Sequence, residues 1–216
     1  MSLVTRHSLM NIELHAQTDV GRIRQGNEDN FLVLDLASTR SWTGSDEGQE
    51  PPAPLRDFEL NEPGAVLVVS DGMGGALAGD VASRMAVETV REMLLGGDEG
   101  EHREVACGPD VPLVECLRNA AGYANYAIHR KSLEDPRCSG MGATLTAAAV
   151  TDNALDFVQV GDSRAYVIRG GEDNITVVLV RFTGDALAAS DKPISVEHPY
   201  GERQLHGDEE DTTPIP

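Results

Sequence analysis

The feature that most constrains this chain is an apolar run that ends on an acid and a group of glycines. Val66-Leu67-Val68-Val69 is followed by Ser70-Asp71 and then Gly72-Met73-Gly74-Gly75. Aliphatic residues without a break, bounded by turn formers, predict a buried strand that stops at Ser70-Asp71. The glycines let the backbone pass close to something bound there. A carboxylate at the end of such a strand is a place for a cation or for catalysis, although a plain tight turn explains the glycines equally well when they stand alone.

Two phosphate-binding loops fail on these glycines. A dinucleotide fingerprint starting at Gly72 needs glycine where Leu77 stands. Gly74 and Gly79 have the spacing of a P-loop, but Asp80 occupies the position that requires lysine.

The 216 residues fit one domain with a sizeable core. A formal net charge of -19 argues against a nucleic-acid backbone or an anionic membrane as the main partner. Most of that charge reads as solvated surface; a smaller part is available to gather cations. The three cysteines, Cys107, Cys116 and Cys138, have neither CxxC nor zinc spacing and read as free thiols in a reducing compartment. No apolar leader or membrane-length run occurs, so the expected location is cytoplasmic. The sequence does not disclose the oligomeric state.

In chain order, residues 1–11 read as an extension, and Ile12 to Thr18 as a first strand. Phe31 to Leu34 is a second, buried one. Residues 37–64, rich in Pro, Gly and acids, read as an exposed loop that Trp42 packs against the body. Asp80 to Leu95 has helical spacing, with Asp80 as N-cap and Gly96-Gly97 as the stop. A second helix runs from an Asp110 cap to about Lys131. Cys138 to Val150 becomes a small-residue strand. Ala154 to Ile168 reads as two strand-like arms around Gly161-Asp162-Ser163-Arg164, and Glu172 to Phe182 as a strongly apolar strand. Residues 184–216 read as a disordered acidic tail.

Acids beside glycine turns or strand ends are Glu28, Asp29, Asp71, Asp162 and Asp173, without a His or Cys cluster. Gathered in one place they would repel each other unless a cation intervened. An all-oxygen set selects Mg2+ or Mn2+ over zinc. Two such ions sharing a carboxylate make water nucleophilic and hold a phosphoryl oxygen, and Arg24 can grip a phosphate bidentately. Taken alone, Arg24 and Glu28 read as an ion pair in a solvated turn.

The strings TDVGRIRQGNEDNF, VVSDGMGG, SGMGATL, VGDSRAY and GEDNITVVLV, in this order from Thr18 to Val180, resemble the motifs of the metal-dependent Ser/Thr protein phosphatases of type 2C in their bacterial form. The resemblance implies an α/β (α+β) fold: a β-sandwich of two mainly antiparallel sheets flanked by helices, with a Mn2+/Mg2+ pair at one end. It implies a phosphoprotein substrate and an opposing Ser/Thr kinase. Asp71 resembles the carboxylate shared by both ions, and the Gly72 carbonyl and Glu28 join it on one of them. Asp29 is similar to the residue that orients the attacking water, and Arg24 to the phosphate-binding arginine. Asp173 resembles the late aspartate on the other ion, and Asp162 lies near the place of a third, weaker one. Met73 stands where eukaryotic members have His, and Ala143 where a hydroxyl residue is usual.

One departure is larger. Members of the family carry a long segment, including a second Ser-Asp-Gly, between the motifs that here hold Tyr166 and Asp173. The chain has no second Ser-Asp-Gly. An internal deletion with its junction at 169–172 is expected, giving an incomplete domain over 12–183 with one ion site weakened. Two functions stay open: a phosphatase, or a remnant that binds metal or a partner without turnover.

Overall fold

The computed structural model describes residues 10–20, 22, 26–44, 52–75, 77–96, 107, 110–167 and 180–183. Nine strands and two α-helices are described: β1 Asn11–Leu14, β2 Asp29–Asp35, β3 Arg40–Thr43, β4 Asp57–Glu59, β5 Ala65–Met73, α1 Ala78–Leu95, α2 Leu113–Glu134, β6 Gly142–Ala143, β7 Leu145–Val150, β8 Leu155–Val160 and β9 Val180–Thr183. The larger sheet has the order β3-β2-β5-β7-β8, with β6 also paired to β5, and the smaller one β4-β1-β9. All of the pairings are antiparallel.

The expected two-sheet sandwich is what forms, and its layering explains the apolar runs. Phe31 and Val33 of β2, with Ala65 and Leu67 of β5, meet Ile12, Leu14 and Trp42 between the sheets. Leu32, Leu34, Val66 and Val68 alternate to the other face, where Val87 and Val90 of α1 and Leu117 of α2 cover them. A strand covered on both faces loses its polar alternation, hence the unbroken run over Val66, Leu67 and Val68, whereas Val69 at its far end is exposed. The small residues Ala147 and Ala149 of β7, with Ala82, Ala86 and Ala120 of the helices, let helix and sheet approach closely. Leu117 is fully buried at this junction. Leu117→Ala should cost about 2–5 kcal/mol, read as a lower urea midpoint at unchanged slope.

Several expectations need correction. β5 does not stop at Ser70-Asp71 but runs to Met73, because β6 supplies a partner for Gly72 and Met73. Residues 37–64 are not one exposed loop: β3 and β4 lie within them, and Leu55 and Leu60 are buried. Strands this short leave no periodicity to read. Trp42 does pack inward, edge-on to Phe31 with ring centroids 4.6 Å apart. Asp80 is not the N-cap of α1 but lies in its first turn, and Pro112 rather than Asp110 caps α2. Gly96 ends α1 in the left-handed conformation, as expected.

The second arm after Gly161 forms no strand among the described residues, so β8 ends the larger sheet, with Tyr166 and Val167 exposed beyond it. Cys107 is disulfide-bonded to Cys116, which corrects the expectation of free thiols; the start of α2 brings their Cα atoms within 4.8 Å. Only the buried Cys138 is free, so the cysteines give no ground for a reducing compartment. No helix among the described residues is long and apolar enough to cross a membrane.

Candidate metal centre at the end of the larger sheet

β2 and β5 are paired so that the start of one meets the end of the other, placing Asp29 directly opposite Asp71. Like charges facing each other across a ladder are unfavourable. Glu28 immediately precedes β2, and its carbonyl accepts a hydrogen bond from the Gly72 N–H at 3.0 Å. The turn before it is fixed by Asn27, whose Oδ1 accepts from the Asp29 N–H at 3.1 Å and whose Nδ2 donates to Thr18 Oγ1 at 2.7 Å. Glu28, Asp29, Asp71 and Gly72 are therefore brought together by strand register, although they are far apart in sequence.

Gly79, in the first turn of α1, closes the other side. A methyl group there would lie 2.4 Å from Glu28 Oε2 and 3.0 Å from the Gly72 carbonyl oxygen. These two oxygens thus face one small space that only glycine leaves open. Gly72 is packed as closely: a methyl group on it would lie 2.0 Å from the Gly79 carbonyl oxygen.

The electrostatics match the crowding. The Asp29 carboxyl is raised above its ordinary value, first by desolvation, then by the Asp71 charge, a hydrogen bond with Asp71 and the Glu28 charge. Desolvation leads even though the residue as a whole is exposed, because its carboxyl faces Asp71 across the ladder. A carboxyl raised in the folded state holds its proton more tightly there than in the unfolded chain. Its contribution to stability is therefore present at acid pH and is lost as pH rises from the ordinary value of 3.8 through the folded one. In metal-free protein, Asp29→Asn should flatten this decline, seen as a smaller drop in melting temperature from about pH 4 upward.

The donor set suits a hard divalent cation: carboxylate and carbonyl oxygens, without sulfur or imidazole. Among the described residues no three His, Cys, Asp or Glu side chains are gathered closely enough to hold an ion by themselves. Mg2+ commonly keeps several waters and takes only one or two carboxylates, so the Glu28–Gly72 space beside Asp71 still fits it. Asp162 is exposed, on the turn after β8. Arg24 and Asp173 lie outside the described residues.

Two residues without a role in the sequence reading belong to this end of the sheet. Thr144 is buried, and its Oγ1 accepts from the Asp71 N–H at 3.0 Å. Ser163, beside Asp162, shares a 2.7 Å hydrogen bond with the same hydroxyl. The motifs GATL and GDSR contain both, but a hydroxyl in a small-residue strand gives no sign of which backbone group it meets.

A family model described as Protein phosphatase 2C matches residues 56–188. Serine/threonine protein phosphatase PstP of Mycobacterium tuberculosis is 36% identical over 107 residues, covering 50% of this chain and 19% of that protein. Serine/threonine phosphatase stp of Listeria monocytogenes is 32% identical over 158 residues, covering 72% of this chain and 50% of that one. Both relatives are thus matched over half of their length or less. A crystal structure of Mycobacterium tuberculosis PstP has a TM-score of 0.50 at 28% identity, covering 81% of this chain and 54% of that one. The PstP catalytic domain in complex with two manganese ions has a TM-score of 0.50 at 27% identity, covering 82% and 55%. With the family model spanning both the helices and the strands β5 to β8 that frame the acidic cluster, the chain belongs to the protein phosphatase 2C family.

Proposed function

We propose that this chain hydrolyses phosphoserine and phosphothreonine in proteins, using Mn2+ or Mg2+ held by Glu28, Asp71 and the Gly72 carbonyl. The observation that carries the reading is that Glu28 and the Gly72 carbonyl face one space beside Gly79, next to the strand ends where Asp29 and Asp71 stand opposite each other. The relative solved with two manganese ions supports the choice of metal. When bound, such ions supply the Lewis acidity that makes water a nucleophile at neutral pH and neutralise charge on the phosphoryl group.

The chain's own residues would divide the remaining work. Asp71, Glu28 and the Gly72 carbonyl would hold the ions. Asp29 would orient the attacking water and accept its proton, burial and the neighbouring Asp71 making its carboxylate more basic than usual. Arg24 would grip the substrate phosphate, and Asp173 and Asp162 would add carboxylates for the ions. Water attacks phosphorus, the ester P–O bond breaks, and the leaving serine or threonine oxygen takes up the proton that the water gave up, without a covalent enzyme intermediate. The working domain is residues 12–183, its substrates are cytoplasmic phosphoproteins, and a Ser/Thr kinase opposes it.

The test is phosphate release from a phosphothreonine peptide by the purified chain. Release should require Mn2+ and stop on chelation. Saturable Mn2+ binding without any release would instead assign the chain to the non-catalytic class of metal-binding modules.

A further inference from the structure

Residue 144 falls in the gap between β6 and β7, yet the register runs through that gap unbroken. Val69 faces Thr146 and Gly72 faces Ala143, which sets Thr144 directly opposite Asp71. An ordinary antiparallel pair at this point would exchange two backbone hydrogen bonds. Only one is made: the Thr144 N–H donates to the Asp71 carbonyl at 2.8 Å. The Asp71 N–H donates instead to Thr144 Oγ1 at 3.0 Å, and the displaced Thr144 carbonyl accepts from Ser70 Oγ at 2.7 Å. Side-chain hydroxyls from both strands have replaced one rung of the ladder, at the residue whose carboxylate projects into the acidic cluster.

The same hydroxyl reaches the turn after β8. Thr144 Oγ1 and Ser163 Oγ are 2.7 Å apart, and Gln159 Nε2 donates to the Ser163 carbonyl at 2.6 Å. Gly161 fits around the other side of Thr144: with φ at 93°, a methyl group on it would lie 2.8 Å from Thr144 Cγ2. The turn carrying Asp162 is thus clasped to Thr144 at Gly161 and at Ser163, the residues on either side of it.

We infer that Thr144 and Ser163 are positioning residues, a hydroxyl pair that sets the direction of the Asp71 carboxylate and ties it to the turn carrying Asp162, so that the two acids reach divalent ions as one unit. This rests on the reading of the cluster as a cation site. Removing the Thr144 hydroxyl leaves the Asp71 N–H unpaired and favours the ordinary rung, which turns the strand end.

The experiment is calorimetric titration of Mn2+ into the metal-free wild type, Thr144→Val, Thr144→Ser and Ser163→Ala, with the metal-free melting temperature measured beside each. Thr144→Val should weaken Mn2+ binding by about 10- to 100-fold, the range typical for residues that orient ligands. Thr144→Ser, which keeps the oxygen, should restore most of it. Ser163→Ala should weaken binding without the fold being at risk, because the residue is only half-buried, and so serves if Thr144→Val does not fold. Wild-type affinity in folded Thr144→Val, or in Ser163→Ala, overturns the inference while leaving the cation site standing. Absence of Mn2+ binding by the wild type overturns both.

Discussion

Asp71→Asn should lower the Mn2+-dependent kcat/KM for p-nitrophenyl phosphate by at least about 1,000-fold, roughly 4 kcal/mol of transition-state stabilisation. The amide keeps the size and the β5 backbone but removes the one charge that both ions would share. The same change takes away the like charge facing Asp29 across the ladder. Melting of the metal-free protein should therefore stay level or rise slightly, while the rise in melting temperature on adding Mn2+ disappears. Loss of activity through misfolding would lower both, so the two measurements together separate a chemical effect from a structural one.

The second large effect contrasts two glycines in contact with each other. A methyl group on Gly72 runs into the Gly79 carbonyl oxygen at 2.0 Å and the Glu28 carbonyl oxygen at 2.9 Å. Both are backbone atoms held in a helix turn and a strand start, and neither can yield cheaply. Gly72→Ala should destabilise by about 3 kcal/mol or more, a large share of a total of about 5–15 kcal/mol. On Gly79 the nearest atom is Glu28 Oε2, the end of a flexible side chain. It can swing aside, and alanine suits the first turn of α1 better than glycine by up to about 1 kcal/mol. Gly79→Ala should therefore fold nearly as well as wild type yet bind Mn2+ at least about tenfold more weakly, its Glu28 carboxylate displaced. Thermal melting and Mn2+ titration of the two variants should give opposite orders of damage.

The parts of the centre that were legible in sequence are those where chemistry is local. Asp71-Gly72 ends an apolar run, and Glu28-Asp29 opens another, so each announces a strand end; antiparallel pairing of β2 with β5 then suffices to join them. The Thr144 hydroxyl was not legible, because replacing a ladder rung by side chains depends on a register set by residues on either side of the gap. β3 and β4 were hidden by their length, and the Cys107–Cys116 pair by the absence of any spacing rule that would join them. In the sequence Gly79 stands out only as a failed P-loop position, whereas its value is the room it leaves beside Glu28. The second arm expected after Gly161 has the residues of a strand but takes no partner among those described.

The account stands on divalent ions being drawn to the acids around Asp71. The most direct measurement is a Mn2+ titration followed by the paramagnetic resonance signal of the free ion, on protein whose circular dichroism shows it folded. Saturable loss of the free-ion signal with wild type, and none with folded Asp71→Asn, is the predicted result. A free-ion signal identical to that in buffer, from folded wild-type protein, would contradict it.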